Sequence, residues 1–147
     1  MMPIRPENRA RYPQNWPAIS LAVRARADWR CEGSPDFPDC RVRHGELGGR
    51  DHDGVWRRCR PLGERGLRLE WPRPGSLAWC VGYDVAPLRI IRIVLTVAHL
   101  DHTPENCDSS NLRAWCQRCH LHYDREHHAQ TAYMGRRAGW AMEMFPR

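Results

Sequence analysis

The stretch from Ile90 to Tyr123, I-I-R-I-V-L-T-V-A-H-L-D-H-T-P-E-N-C-D-S-S-N-L-R-A-W-C-Q-R-C-H-L-H-Y, limits most tightly what this chain can fold into. An apolar β-branched run, a His/Asp cluster, a turn-rich loop, an Asn-Leu pair and a Cys-x-x-Cys-His follow one another directly. Ile90 to Val97 is rich in Ile, Val, Leu and Thr and lacks Gly and Pro, which reads as a largely buried strand. If that strand persists, period-two alternation places Ile91, Ile93, Leu95, Val97, His99 and Asp101 on one face. Thr103 to Ser110 is a loop, because its short polar side chains compete for backbone hydrogen bonds. Leu112 to about Gln130 has no Gly or Pro and is predicted to be helical, at least beyond the cysteines. Cys116, Cys119, His120 and Tyr123 would then share a face.

The seven cysteines bear on the same region. In a reducing compartment they argue for metal binding rather than disulfides, and an odd count leaves one thiol over in any all-disulfide scheme. Cys31 and Cys40 bracket E-G-S-P-D-F-P-D, a turn-rich loop able to fold the chain back. With Cys116 and Cys119 they would supply four thiolates, a closed tetrahedral shell for structural Zn²⁺. The alternative for Cys31 and Cys40 is a role as small core residues. Cys80 and Cys107 are read as unliganded, and His44, His52 and Cys59 as a weaker candidate for a second metal site.

His99, Asn111 and the His120 that closes C-x-x-C-H resemble the motif that names the HNH endonucleases, and the stretch resembles their ββα-metal finger. Cys31 and the later cysteine pair extend the likeness to zinc-containing members. The opening R-P-E-N-R-A-R-Y-P and W-R-C-E-G-S-P-D-F-P-D-C resemble short phage and bacterial HNH proteins. The resemblance implies hydrolysis of phosphodiester bonds in DNA, leaving a 5′-phosphate and a 3′-hydroxyl, either by nicking or by double-strand cleavage. It implies His99 as general base, Asn111 as the residue that pins the loop, and one divalent ion (Mg²⁺, Mn²⁺ or Ni²⁺) held by His120. The family usually carries an Asp or His just before the first motif His, and here that position is Ala98, so Asp101 or His102 would replace it. Two other functions fit the same residues: a catalytically silent, zinc-stapled nucleic-acid-binding module, and an accessory protein of a phage packaging machine.

The expected fold is α+β, a single domain over 1–147. Residues 1–17 form an extended arm that wraps the domain or touches phosphate, or else a loosely ordered terminus. Residues 18–43 hold a helix over Ala18 to Trp29 and the first cysteine pair, and 44–89 are an insertion. Within the insertion, Gly54 to Pro61, Leu67 to Trp71 and Leu77 to Val85 read as strands of a small meander. Trp56, Trp71 and Trp79 there would either stack on bases or form a local cluster. The finger spans 90–130 and a basic tail 131–147, whose end at Phe145 and Pro146 docks weakly or frays. His127 is read as a solvated side chain, an outer-shell partner of His120 or a phosphate contact.

A formal charge of +6, with all 23 basic residues Arg and no Lys, suits a polyanionic partner, since guanidinium forks onto phosphate. Arg-biased codon usage would produce the same Lys deficit. Arg113, Arg118, Arg136 and Arg137 are the candidate nucleic-acid contacts, with duplex DNA the expected partner and RNA an open alternative. No stretch has the length of a membrane span, and Met1 to Ser20 lacks a signal-peptide core, so a cytoplasmic protein is expected. Sequence preference and oligomeric state leave no signature in the chain.

Overall fold

Two antiparallel strands and a short helix occupy the region that carries the His and Cys motifs. In this computed structural model, which describes residue 4 and residues 6–144, β8 (Leu95–His99) pairs with β9 (Leu112–Cys116), and α2 (Gln117–Tyr123) follows at once. The register sets Leu95 opposite Cys116, Val97 opposite Ala114 and His99 opposite Leu112. Leu112 to Cys116 is therefore a strand, not the start of the expected helix, and the helix begins only at Gln117. Three of the four side chains from Ala114 to Cys119 that face the interior need the flat pairing with β8, which overrides the absence of helix breakers.

The expected single strand over Ile90 to Val97 is also split. β7 (Ile91–Arg92) pairs with β1 (Leu47–Arg50), whereas β8 pairs with β9. At the switch, the Ile93 N–H donates to the Glu46 carbonyl, the Val94 N–H to Gln117 Oε1 and the Leu95 N–H to His44 Nδ1. The chain thus changes partners without leaving its amides unsatisfied. Ile90, Ile93 and Leu95 are buried while Ile91 is exposed, so the continuous alternation gives way at this point.

α1 (Trp16–Arg26) starts two residues earlier than expected, because Pro17 suits the first helical turn. It ends three residues earlier, where Asp28 and Trp29 take left-handed φ values of 51° and 56°. Its Val23 packs with Leu112 and Ala114 on one side of the β8–β9 hairpin, with Trp16, Ile19 and Val97 around them. On the other side Trp115 and Ala98 join Cys31, Val42, Ile93 and Leu95 in the main core. The hairpin is thus covered on both faces.

The insertion holds β1, β2 (Trp56–Arg58), β3 (Gly63–Arg65), β4 (Arg68–Glu70), β5 (Leu77–Cys80) and β6 (Tyr83–Arg89). β2, β1 and β7 form a three-stranded sheet, while β3–β4 and β5–β6 are separate hairpins. At Gly48 only glycine fits, since a side chain would run into the Arg57 carbonyl oxygen. Cys59, Ala78, Cys80 and Ile90 make a second small core. Trp56 packs against the main core, but Trp71 and Trp79 are each 48% exposed and make no shared cluster with it.

Residues 6–11 form a 3-10 helix rather than an extended arm, and α3 (Arg125–Met144) runs through most of the expected tail. Phe145 and Pro146 lie outside the described residues. Among the described residues, no helix is long and apolar enough to cross a membrane.

Trp115 is 2% exposed, and its Nε1–H donates to the Gly33 carbonyl at 2.8 Å. Trp115→Ala should cost about 3–5 kcal/mol of stability, read from denaturant unfolding curves.

Candidate functional site

Cys116 is the last residue of β9 and Cys119 lies in the first turn of α2, so the strand-to-helix junction turns both sulfurs inward. The 31–40 loop brings Cys31 and Cys40 to the same place. The four sulfurs lie within 4.8 Å of one another, in a cluster that can hold a metal ion such as zinc. A tetrahedron with Zn–S bonds of about 2.3 Å has edges of about 3.8 Å, and Cys40 Sγ and Cys116 Sγ are 3.8 Å apart. The Cys116 N–H donates to Cys31 Sγ at 3.3 Å, supporting negative charge on sulfur.

Protons are shared unequally in this cluster. Hydrogen bonds from Cys119 and Cys31 bring the Cys116 thiol down to about 6, and the bond with Cys116 pulls Cys40 down as well. Cys31 and Cys119 are pushed up by holding those protons against Cys116.

Beside the thiols, His120 follows Cys119 directly and turns the other way along α2. Its Nδ1 lies 2.6 Å from Thr96 Oγ1, and its Nε2 lies 3.0 Å from Asp124 Oδ2. The other oxygen of Asp124 lies 3.2 Å from His102 Nδ1, and His128 Nε2 approaches Oδ2 at 3.9 Å. His120 and His102 thus each meet one oxygen of Asp124 at hydrogen-bonding distance. Burial would raise the Asp124 pKa, but the hydrogen bond from His120 and the charges of His120, His102 and His128 outweigh it and hold the carboxyl below its ordinary value. His102 has φ 55° and is sandwiched, with Tyr123 on one side and His127 stacked at 4.5 Å and 2°.

Asp101 does a different job. Its oxygens accept from Asn106 Nδ2 at 2.7 Å, Asn111 Nδ2 at 2.9 Å and the Thr103 N–H at 2.9 Å, which draw its pKa down to about 2. Asn111, 9% exposed, returns a bond by accepting the Asp101 N–H and also donates to the Asn106 carbonyl. The pair closes the loop between β8 and β9.

His99 ends β8 on the α1 side. Trp16 stacks on its ring at 5.1 Å, Tyr12 meets it edge-on at 5.8 Å, and Cys107 Sγ lies 3.9 Å from Nε2. It is 8% exposed, and burial pushes its pKa below the ordinary histidine range, so it is neutral at pH 7. Arg11 anchors this cover through two bonds to Glu105, at 2.6 and 3.0 Å.

The structure thus brings His102 and His120 together and keeps Asp101 and Asn111 as a loop clamp, with His99 under the aromatic cover. Asp124, Tyr12 and Trp16 were missed in the sequence. The His120–Asp124 spacing of one helical turn was the available sign for Asp124; nothing local marked the aromatic pair. Of the four arginines, Arg113 donates to the Ser110 and Leu112 carbonyls, and Arg118 lies 3.7 Å from the Phe37 ring while donating to the Gly54 carbonyl. Arg136 and Arg137 are exposed on α3. His44, His52 and Cys59 do not converge: His44 accepts from Leu95, His52 pairs with Asp53, and Cys59 belongs to the second core.

The purified chain should carry one zinc per molecule by elemental analysis. Cys119→Ser should lose that metal and lower Tm by at least about 10 °C, since binding free energy of a structural zinc is folding free energy. Compared with protein-family models, curated proteins and solved structures, the chain matches none.

Proposed function

We propose that the chain is a metal-dependent endonuclease of the HNH type, hydrolysing phosphodiester bonds of DNA from a ββα-metal finger made of β8, β9 and α2. The observation that supports this is the meeting of His102 and His120 with the two oxygens of Asp124, beside a strand–strand–helix unit whose junction carries a four-cysteine cluster able to hold a metal. A divalent ion held by His120, His102 and Asp124 would neutralise charge developing on the phosphate and stabilise the departing oxygen. Asp124 then completes a ligand set that Ala98 leaves short, and Asp101 is released from the alternative ligand role by its bonds to Asn106 and Asn111.

His99 is the general base. Neutral imidazole takes the proton of the attacking water, and its burial keeps it neutral. Asn111 and Asp101 fix the loop leaving His99, and Thr96 orients the His120 ring.

A zinc-stapled module that binds nucleic acid without cutting it is the second reading. One observation favours it: the rings of Trp16 and Tyr12 cover His99, next to an Ala98 that offers no ligand.

Supercoiled plasmid incubated with Mg²⁺, Mn²⁺ or Ni²⁺ should be nicked. Asp124→Ala, His120→Ala and His99→Ala should each slow nicking by about 100-fold or more while keeping the structural zinc. Nicking that survives His99→Ala removes it as the base. Retained DNA binding with no metal-dependent nicking in the unaltered chain establishes the silent module.

A further inference from the structure

Away from the His/Asp centre, Arg30 and the segment from Arg41 to Glu46 border a cleft of about 590 Å³ together with β2 and Val81. Five arginines line it: Arg30, Arg41, Arg43, Arg57 and Arg58. Glu46 is the one acidic residue in the wall, leaving the lining four positive charges in excess (five minus one). Val42, Val81 and the Trp56 indole supply its apolar surface. Among the lining residues there is no His or Cys, so the cleft has the means to bind an anion and none of the usual groups to activate one.

Internal partners take up only part of this charge. Arg41 donates to the Pro38 and Cys40 carbonyls and caps the 31–40 loop, and Arg57 is held by Asp51 at 2.9 Å. Arg58 meets Glu46 only at 3.5 Å and is 72% exposed, and Arg30 stands 3.8 Å from an Asp28 that is itself 83% exposed. The Arg43 side chain has no ion pair or hydrogen bond among the described residues; only its backbone N–H is engaged, by Glu46. Arg30 and Arg43 are moreover direct partners across an antiparallel bridge. Cross-strand neighbours of like charge destabilise a fold, so the pairing gains nothing for the isolated chain and is offset once an anion spans both.

We propose that this cleft binds the sugar-phosphate backbone of a nucleic acid, as an anchoring surface separate from the His/Asp centre. Guanidinium groups from segments bordering one cleft can each take a phosphate oxygen pair, a geometry suited to a repeating phosphodiester. The inference rests on nucleic acid being the substrate in the function proposed above, and binding is measured apart from cleavage for that reason.

The test uses the zinc-loaded full chain, a fluorescein-labelled DNA duplex and no added divalent ion, with anisotropy titrations at several NaCl concentrations. The double variant Arg43→Gln, Arg58→Gln should flatten the slope of log K against log salt by about 2, roughly one unit per lost phosphate contact. A charge-matched control on the exposed insertion, Arg68→Gln with Arg73→Gln, should leave the slope near that of the unaltered chain. Zinc content and Tm of both variants are recorded to show that they fold. Equal slopes for the two double variants overturn the cleft, as does polyglutamate displacing the duplex as well as unlabelled DNA does, which would assign it to an acidic protein. Salt-dependent binding through the cleft without plasmid nicking keeps the cleft and loses the nuclease. Nicking with an unaltered slope in the Arg43/Arg58 variant does the reverse.

Discussion

The convergence of four cysteine sulfurs is the constraint on which the rest of the molecule depends. Cys31 and Cys40 come from a loop near the start of the chain, and Cys116 and Cys119 from the junction of β9 and α2. A metal bound there would tie the two together at the point where the strand stops and the helix begins. The direction in which His120 leaves the helix, one residue beyond Cys119, is set by the same junction. The surrounding core of Val42, Ile93, Leu95, Ala98 and Trp115 is small for a chain of 147 residues. A metal closing so long a loop adds stability that apolar burial of this extent supplies sparingly.

From that junction the site is assembled by short polar links rather than by packing. Thr96 holds one nitrogen of His120, Asp124 meets the other, and Tyr123 donates to the Leu100 carbonyl, tying α2 to the loop that leaves β8. The N-terminal segment closes over His99, held by the Arg11–Glu105 pair. A carboxylate that meets two imidazoles and a buried imidazole among aromatic rings thus lie near one another, close enough for the charge of His120 to act on His99.

Much of this was legible where spacing alone carries the information. The four cysteines of the cluster, the loop ended by Asn111 and the helix beyond Cys116 could be read because each depends on near neighbours in sequence or on ligand chemistry. The strand character of Leu112 to Cys116 was hidden, since its reason is the distant partner β8. The break after Arg92 was hidden for a similar reason: it arises where β1 and β9 compete for one continuous apolar run. Trp16 and Tyr12 lie in a proline-rich segment whose contact with His99 has no periodic sign. Asp101 looked like a ligand because it shares a short stretch with two histidines, yet it faces the loop amides.

His102 sits in the left-handed region at φ 55°, where a residue with a Cβ is held at a cost of about 1–3 kcal/mol. Glycine or asparagine would rest there more easily. The fold by itself would therefore favour a smaller residue at this position, and the imidazole is kept against that preference by its place between Tyr123 and His127 and its reach to Asp124. At position 102 robustness of the scaffold and competence of the centre pull in opposite directions, and the strained backbone marks the side on which the sequence has settled.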